Sequence, residues 1–190
     1  MYVCGKVVPL ERVKTTLIGK HNLYNISVAL TAAVTAGVPL EEAISAVEDF
    51  KGLEHRLELF ATQNGVRWFN DSISTIPEAA INAVEGIGDV RTLIIGGMDR
   101  ELEKYIASGK VENVIFAYES GKRVLKETES LCPKCRLFEV ADIYEAADKA
   151  KEITKCGSVL FSPAAASYGY FKNFEERGTK FKEYVLKGTK

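Results

Sequence analysis

The chain has 190 residues, 46% hydrophobic and 27% charged, with a net charge of −1. That length suits one domain, or one domain with part of another, and a chain of this size buries about 70% of its unfolded surface, so its core needs neither disulfide nor metal. No basic stripe points to nucleic acid, no apolar run nears the ~20 residues of a membrane span, and the start Met1-Tyr-Val-Cys-Gly-Lys lacks the charged and apolar regions of a signal peptide, so neither nucleic acid nor membrane is an expected partner and the expected location is the cytoplasm.

Residues 2–18 read as β-rich. His21-Asn-Leu-Tyr-Asn25 then opens an alanine-rich helix, with Leu23, Ile26, Leu30, Ala33 and Val34 on one face, and Gly37 and Pro39 stop it. Leu40 to Phe50 reads as a second helix with Ala43, Ile44 and Val47 inward. Two helices and one strand segment make a thin core, and their exposed apolar face invites self-association through residues 1–50. Asn22 and Asn25 are open to two readings. They cap the helix start, or they share a face and pair with the polar edge of a base.

A boundary falls near Lys51-Gly52. Beyond it two alternating runs, Arg56 to Gln63 and Val66-Arg-Trp-Phe69, flank Asn64-Gly65, a strong hairpin signal because both turn residues tolerate positive φ. Strands are then expected at 91–96, 113–117, 136–139 and 157–161, and helices at 76–85, 101–107, 120–130, 142–154 and 170–186. Such alternation predicts an α/β fold, a Rossmann-like and mostly parallel sheet with helices on both faces, which takes ligands at its C-terminal strand ends.

Those strand ends carry polar residues. Thr75 and Glu78 form a capping box for a helix with Pro77 in its first turn, which leaves Asp71 and Ser72 unexplained at a strand end, where the carboxylate could accept from ribose hydroxyls or belong to an Asx turn. Gly96-Gly97 is a backbone nest for an anion or a plain tight turn, with Arg100 able to grip a carboxylate or phosphate. His55-Arg56 sits at the boundary, where it could sense a bound ligand or serve packing alone. Ser162-Pro-Ala-Ala-Ala-Ser167 puts small residues at a strand-to-helix turn, where a ligand can approach the backbone closely. Cys132-Pro-Lys-Cys135 reads as a surface turn. A zinc site would need more ligands than His21 and His55, both far away in sequence.

Taken together, Gly19-Lys-His-Asn-Leu-Tyr-Asn25, Leu53-Glu-His-Arg56, Asn70-Asp-Ser72 with Thr75, Gly96-Gly-Met-Asp99, and Ser162 to Ser167 with Lys172-Asn-Phe-Glu-Glu-Arg-Gly178 resemble the Mur ligases, in particular their D-glutamate-adding branch. The resemblance runs from about Gly19 onward. It implies that residues 1–52 are the end of a central P-loop ATPase domain and 53–190 a C-terminal Rossmann-like domain that brings the amino acid. The implied reaction is the ATP-driven joining of D-glutamate to UDP-N-acetylmuramoyl-L-alanine through an acyl phosphate. By the same resemblance Asn22, Asn25, His55, Arg56 and Asp71 bind ATP, and Thr75, Arg100, Ser167, Tyr168 and Phe174 bound the D-glutamate site. Arg100 and Ile73 stand where the family usually has lysine. The sequence contains no Gly-x-x-x-x-Gly-Lys-Ser/Thr loop. The family's magnesium ligands also belong to the earlier part of the central domain. The implied cofactors are therefore ATP and magnesium, with no metal ligand and no catalytic residue in this chain, and the chain alone is expected to be inert. The competing expectation is a stand-alone Rossmann-like module for a small anionic metabolite.

Overall fold

A computed structural model describes residues 1–96, 100–131 and 133–187, with only the backbone described for Arg100 and Glu101. The chain divides into two compact units, Met1–Leu53 and Glu54–Lys190.

In the first unit β1 (Tyr2–Val3) and β2 (Lys6–Val7) pair antiparallel. Cys4 and Gly5 turn between them with φ of 47° and 76°. The expected β-rich start stops there. Pro9 has no N–H to donate, and Leu10–Arg12 form one 3₁₀ turn. Helices α1 (Lys20–Thr35) and α2 (Leu40–Asp49) follow. Ile26 and Leu30 of α1 meet Ala43 and Ile44 of α2 over Val3, Val8 and Val13.

The second unit runs β3 (Glu58–Gln63), β4 (Val66–Asn70), α3 (Pro77–Ile87), β5 (Val90–Ile95), α4 (Arg100–Ala107), β6 (Asn113–Ala117), α5 (Tyr118–Ser130), β7 (Arg136–Val140), α6 (Ile143–Ile153), β8 (Gly157–Phe161) and α7 (Phe174–Lys187). The sheet order is β3-β4-β8-β5-β6-β7. Only β3 is antiparallel, joined to β4 through Asn64 and Gly65 with φ of 51° and 79°. Both values suit the type I′ turn that the Asn-Gly pair predicted. The chain returns from β7 through α6 and inserts β8 between β4 and β5. The C-terminal tips of β4, β8, β5 and β6 therefore lie side by side.

Alternation along the strands buries both faces, as a parallel sheet requires. Ile94, Ile115, Val159 and Phe161 pack under Ile143, Ala146 and Ala147 of α6 and Phe181 and Val185 of α7. Leu93, Val114, Phe116 and Leu160, one residue out of phase, are equally buried. α3 packs on α4, and α4 on α5. Two helix starts differ from expectation. α3 begins at Pro77 with Ile76 as its N-cap and no capping side chain, so Thr75 is exposed and does not form a capping box. Ile76 keeps an extended φ of −130°, as the residue before a proline prefers. α7 starts at Phe174 rather than near 170, because Gly169 turns the chain at φ 97° and Asn173 Oδ1 caps the Glu176 N–H at 2.9 Å. Among the described residues no helix is long and apolar enough to cross a membrane.

Candidate functional site

The tip of β4 is tied to the tip of β8. The Asp71 N–H donates to Phe161 O at 2.8 Å, and Ser162 Oγ donates to Asp71 Oδ2 at 2.8 Å. The other Asp71 oxygen accepts the Leu57 N–H at 3.2 Å. Burial pushes the Asp71 carboxyl up to about 6, outweighing these two hydrogen bonds and the Arg56 charge that pull it down. The Asx turn belongs to the preceding residue, since Asn70 Oδ1 accepts the Ser72 N–H at 3.1 Å.

Asn70 also joins a buried cluster at the entry of the unit. Its Nδ2 donates to His55 Nδ1 at 2.8 Å, which leaves the His55 proton on Nε2. Burial holds the His55 pKa below the usual range. His55 and Leu57 both adopt positive φ, 63° and 46°, on either side of exposed Arg56. Such strain is a common companion of functional sites. The His55 ring fits only because position 178 in α7 is glycine. A Cβ there would come 2.3 Å from His55 Nδ1 and 3.0 Å from Asn70 Nδ2. Gly178→Ala is therefore expected to cost about 1–3 kcal/mol by overpacking, read as a lower midpoint of urea unfolding. An unchanged midpoint would mean that His55 leaves its place at no cost.

Arg177, four residues before Phe181 on the inner face of α7, is the lock between the tips. It is only 2% exposed. Its Nε donates to Ser72 Oγ at 3.1 Å, Nη2 to Ser72 O at 2.7 Å and Nη1 to Ala165 O at 3.0 Å. Ser72 Oγ donates in turn to Phe174 O at 2.8 Å. No carboxylate is among these partners, and burial pulls the Arg177 pKa down to about 10. The tip of β5 joins the same edge, because the Gly96 N–H donates to Pro163 O at 2.8 Å and Ser120 Oγ donates to Gly96 O. A small recess beside this lock is lined by Gly96, Tyr118, Ser167, Tyr170, Phe171 and Arg177.

The structure thus gathers Asp71, Ser72, Ser162, Ser167 and Phe174 at one edge of the sheet. Ser167 is buried there and Tyr168 is 80% exposed. Thr75 is exposed on the loop from β4 to α3. Arg100 opens α4 after β5, and its side chain lies outside the described residues. So do Gly97 to Asp99, the rest of the expected backbone nest, and Cys132 of the cysteine pair. Asn22 and Asn25 belong to the first unit, in α1, whose N-cap is Gly19. They face each other, with Asn25 Nδ2 donating to Asn22 Oδ1 at 3.3 Å, and Asn22 Nδ2 donates to Ile18 O at 2.8 Å. Neither caps the helix. Arg177 and Asn70 lie within the motifs named above, which assign neither a role. The signal for Arg177 was a charge on the apolar stripe of Phe174, Phe181 and Val185.

Among the described residues, one group of metal-ligating side chains comes together: Glu54, His55 and Glu58, with ligand atoms within 4.8 Å of one another. Lys182 already supplies the cation there, with Nζ 2.6 Å from Glu54 Oε1 and 2.8 Å from Glu58 Oε1. A bound ammonium and an imidazole do not make the oxygen shell that magnesium requires.

No family model matches the chain. It is 36% identical over 174 residues to the UDP-N-acetylmuramoylalanine–D-glutamate ligase of Caldanaerobacter subterraneus subsp. tengcongensis, a match covering 88% of this chain and 39% of that protein. To the enzyme of the same name from Aquifex aeolicus it is 38% identical over 175 residues, covering 88% of this chain and 41% of the relative. The chain thus spans about 40% of the length of these relatives. In fold it is similar to the crystal structure of UDP-N-acetylmuramate–alanine ligase from Thermotoga maritima, with a TM-score of 0.70 at 18% identity over 93% of this chain and 40% of that one.

Proposed function

The chain belongs to the Mur ligases, and from that membership we propose that it is the C-terminal part of an ATP-dependent ligase that joins D-glutamate to UDP-N-acetylmuramoyl-L-alanine in peptidoglycan synthesis. The observation that carries this reading is the shared edge of β4, β5, β6 and β8. There Asp71 at the tip of β4 is tied to Phe161 and Ser162 at the tip of β8, the Ser162 N–H donates to Ile94 O of β5, and Arg177 of α7 joins Ser72 to Ala165, two residues before Ser167.

In this reading the first unit is the end of the ATPase domain, and the second unit is the amino-acid domain. Asn22 and Asn25 present neighbouring amides suited to the edge of adenine. Arg56, exposed between two strained residues, meets the ribose–phosphate side of ATP, with His55 and Asp71 fixing the backbone around it. ATP supplies the phosphoryl group that activates the acceptor carboxylate. This chain's own residues bind and orient the amino acid. The hydroxyls of Thr75 and Ser167 and the charge of Arg100 are suited to its two carboxylates. The Tyr168 backbone and the Phe174 ring bound its stem. Holding the amine in place removes much of the entropy cost of the joining step. The sequence has no phosphate loop and the described residues offer no magnesium cage, so in this reading phosphoryl transfer falls to the part of the relatives that this chain does not span. Substrates of this kind place the work in the cytoplasm.

The expected result is that neither this chain nor the preceding part of the Aquifex aeolicus relative forms the D-glutamyl product alone, whereas the two joined in one polypeptide do. Product from this chain alone would overturn the fragment reading. A folded fusion that binds ATP yet forms no product would overturn the ligase reading.

A further inference from the structure

Tyr118 begins α5 directly after β6 with φ of 66°. A bulky residue holds this left-handed conformation only at a cost. The residue is 9% exposed, and among the described residues its buried hydroxyl makes no well-formed hydrogen bond, though the Ile143 backbone lies near enough to act on it. Core filling accounts for neither feature. Glycine would relieve the backbone, and phenylalanine would fill the space without burying a hydroxyl.

The ring's neighbours are more informative. Tyr170 stacks on it with centroids 4.1 Å apart and planes 27° from parallel. Phe171 meets it edge-on at 6.4 Å. The ring also lies beside the tip of β5, where a Cβ on Gly96 would be 3.7 Å from Tyr118 Cδ2. Tyr170 and Phe171 close the turn that Ser167 opens. Their N–H groups both point to Ser167 O, at 3.4 and 3.1 Å, around Gly169 at φ 97°. Tyr170 is 55% exposed, and among the described residues Tyr118 is its only ring partner.

We propose that Tyr118 is a positioning residue for the amino-acid site: its left-handed backbone swings the ring over the tip of β5 as a platform for the Ser167–Phe171 turn, and so fixes where Ser167 and Tyr168 meet D-glutamate. This rests on the reading of Ser167 as a D-glutamate contact. The platform needs an aromatic face and not a hydroxyl. Tyr118→Phe therefore keeps it, and Tyr118→Leu removes it.

Amide hydrogen exchange on the whole chain tests this, with and without D-glutamate. In Tyr118→Leu the Phe171 amide is expected to exchange roughly tenfold faster, the scale set by losing a buried aromatic pair. Amides of β5, β6 and β8 keep their protection, and Tyr118→Phe restores the turn. D-glutamate slows exchange at Ser167 and Phe171 in the wild type and in Tyr118→Phe, and fails to do so in Tyr118→Leu. Equal exchange of the turn in Tyr118→Leu and wild type overturns the proposal, as does a turn equally loose in Tyr118→Phe. If Tyr118→Leu does not fold, Tyr170→Leu removes the same stack from an exposed position. An unchanged Phe171 amide there overturns it equally. A loosened turn in Tyr118→Leu with no D-glutamate effect in any variant would sink the assignment of the site, and would leave the hold of Tyr118 on the turn standing.

Discussion

Arg177→Met is expected to destabilise the second unit by about 2–4 kcal/mol, seen as a lower urea midpoint with an unchanged slope. The methionine fills most of the space of the arginine stem, so little apolar packing is lost. What is lost is the pair of guanidinium donors that reach Ser72 O and Ala165 O, at 2.7 and 3.0 Å. Each buried acceptor left without a partner costs about 1–3 kcal/mol. Relief from burying a charge offsets part of this, which is why the expected loss is smaller than the sum. Arg177→Lys is expected to fall between the two, because one ammonium cannot reach Ser72 Oγ, Ser72 O and Ala165 O in the fork that the guanidinium spans. A midpoint for Arg177→Met within about 0.5 kcal/mol of wild type, the range of ordinary surface changes, would mean that water satisfies the two tips and that Arg177 locks nothing.

Asp71→Asn is expected to flatten the pH dependence of stability between about pH 4 and pH 6. The folded protein holds the Asp71 proton up to about pH 6, against 3.8 for an ordinary aspartate. A folded pKa above the unfolded one means that this group's contribution is fully present below about pH 4 and lost as pH rises through 6. The whole effect is on the order of 3 kcal/mol. Asparagine keeps the geometry. Its carbonyl can accept the Leu57 N–H, and its amide can donate to Ser162 Oγ. Glu103, raised to about 7 by burial and by its hydrogen bond to Glu127, adds a decline of the same sign. His55, lowered by burial, works the other way and removes stability as pH falls below its ordinary 6.5. The difference between variant and wild type, measured by urea unfolding across this range, therefore carries the test. Parallel curves would mean that Asp71 is ionised at low pH despite its burial.

Much of the fold could be read from residue order alone. Asn64-Gly65 announced the hairpin because that pair accepts φ of 51° and 79°, and the apolar runs at β5, β6 and β8 announced buried parallel strands. The start of α7 could not be read so closely. The aromatics at Phe171 and Phe174 share helical spacing, yet Gly169 and the Asn173 cap decide where the helix begins, and tertiary contacts of Tyr170 with Tyr118 hold the turn before it. Thr75 matched a capping pattern, but Pro77 made Ile76 the extended cap. At the site, the serines and Asp71 were visible as polar residues at strand ends. Their mutual tie, Ser162 to Asp71 across 91 positions, has no sequence signature, because it depends on β8 inserting beside β4. The same insertion brings Arg177 to Ser72, across 105 positions.

Whether this edge of the sheet receives D-glutamate is decided by titrating the isotopically labelled chain with D-glutamate and following its amide resonances. Weak, saturable displacements are expected at Thr75, Ser167 and Phe174. Displacements confined to residues 1–53, or none at those three amides up to the solubility of D-glutamate, would contradict that role for the edge.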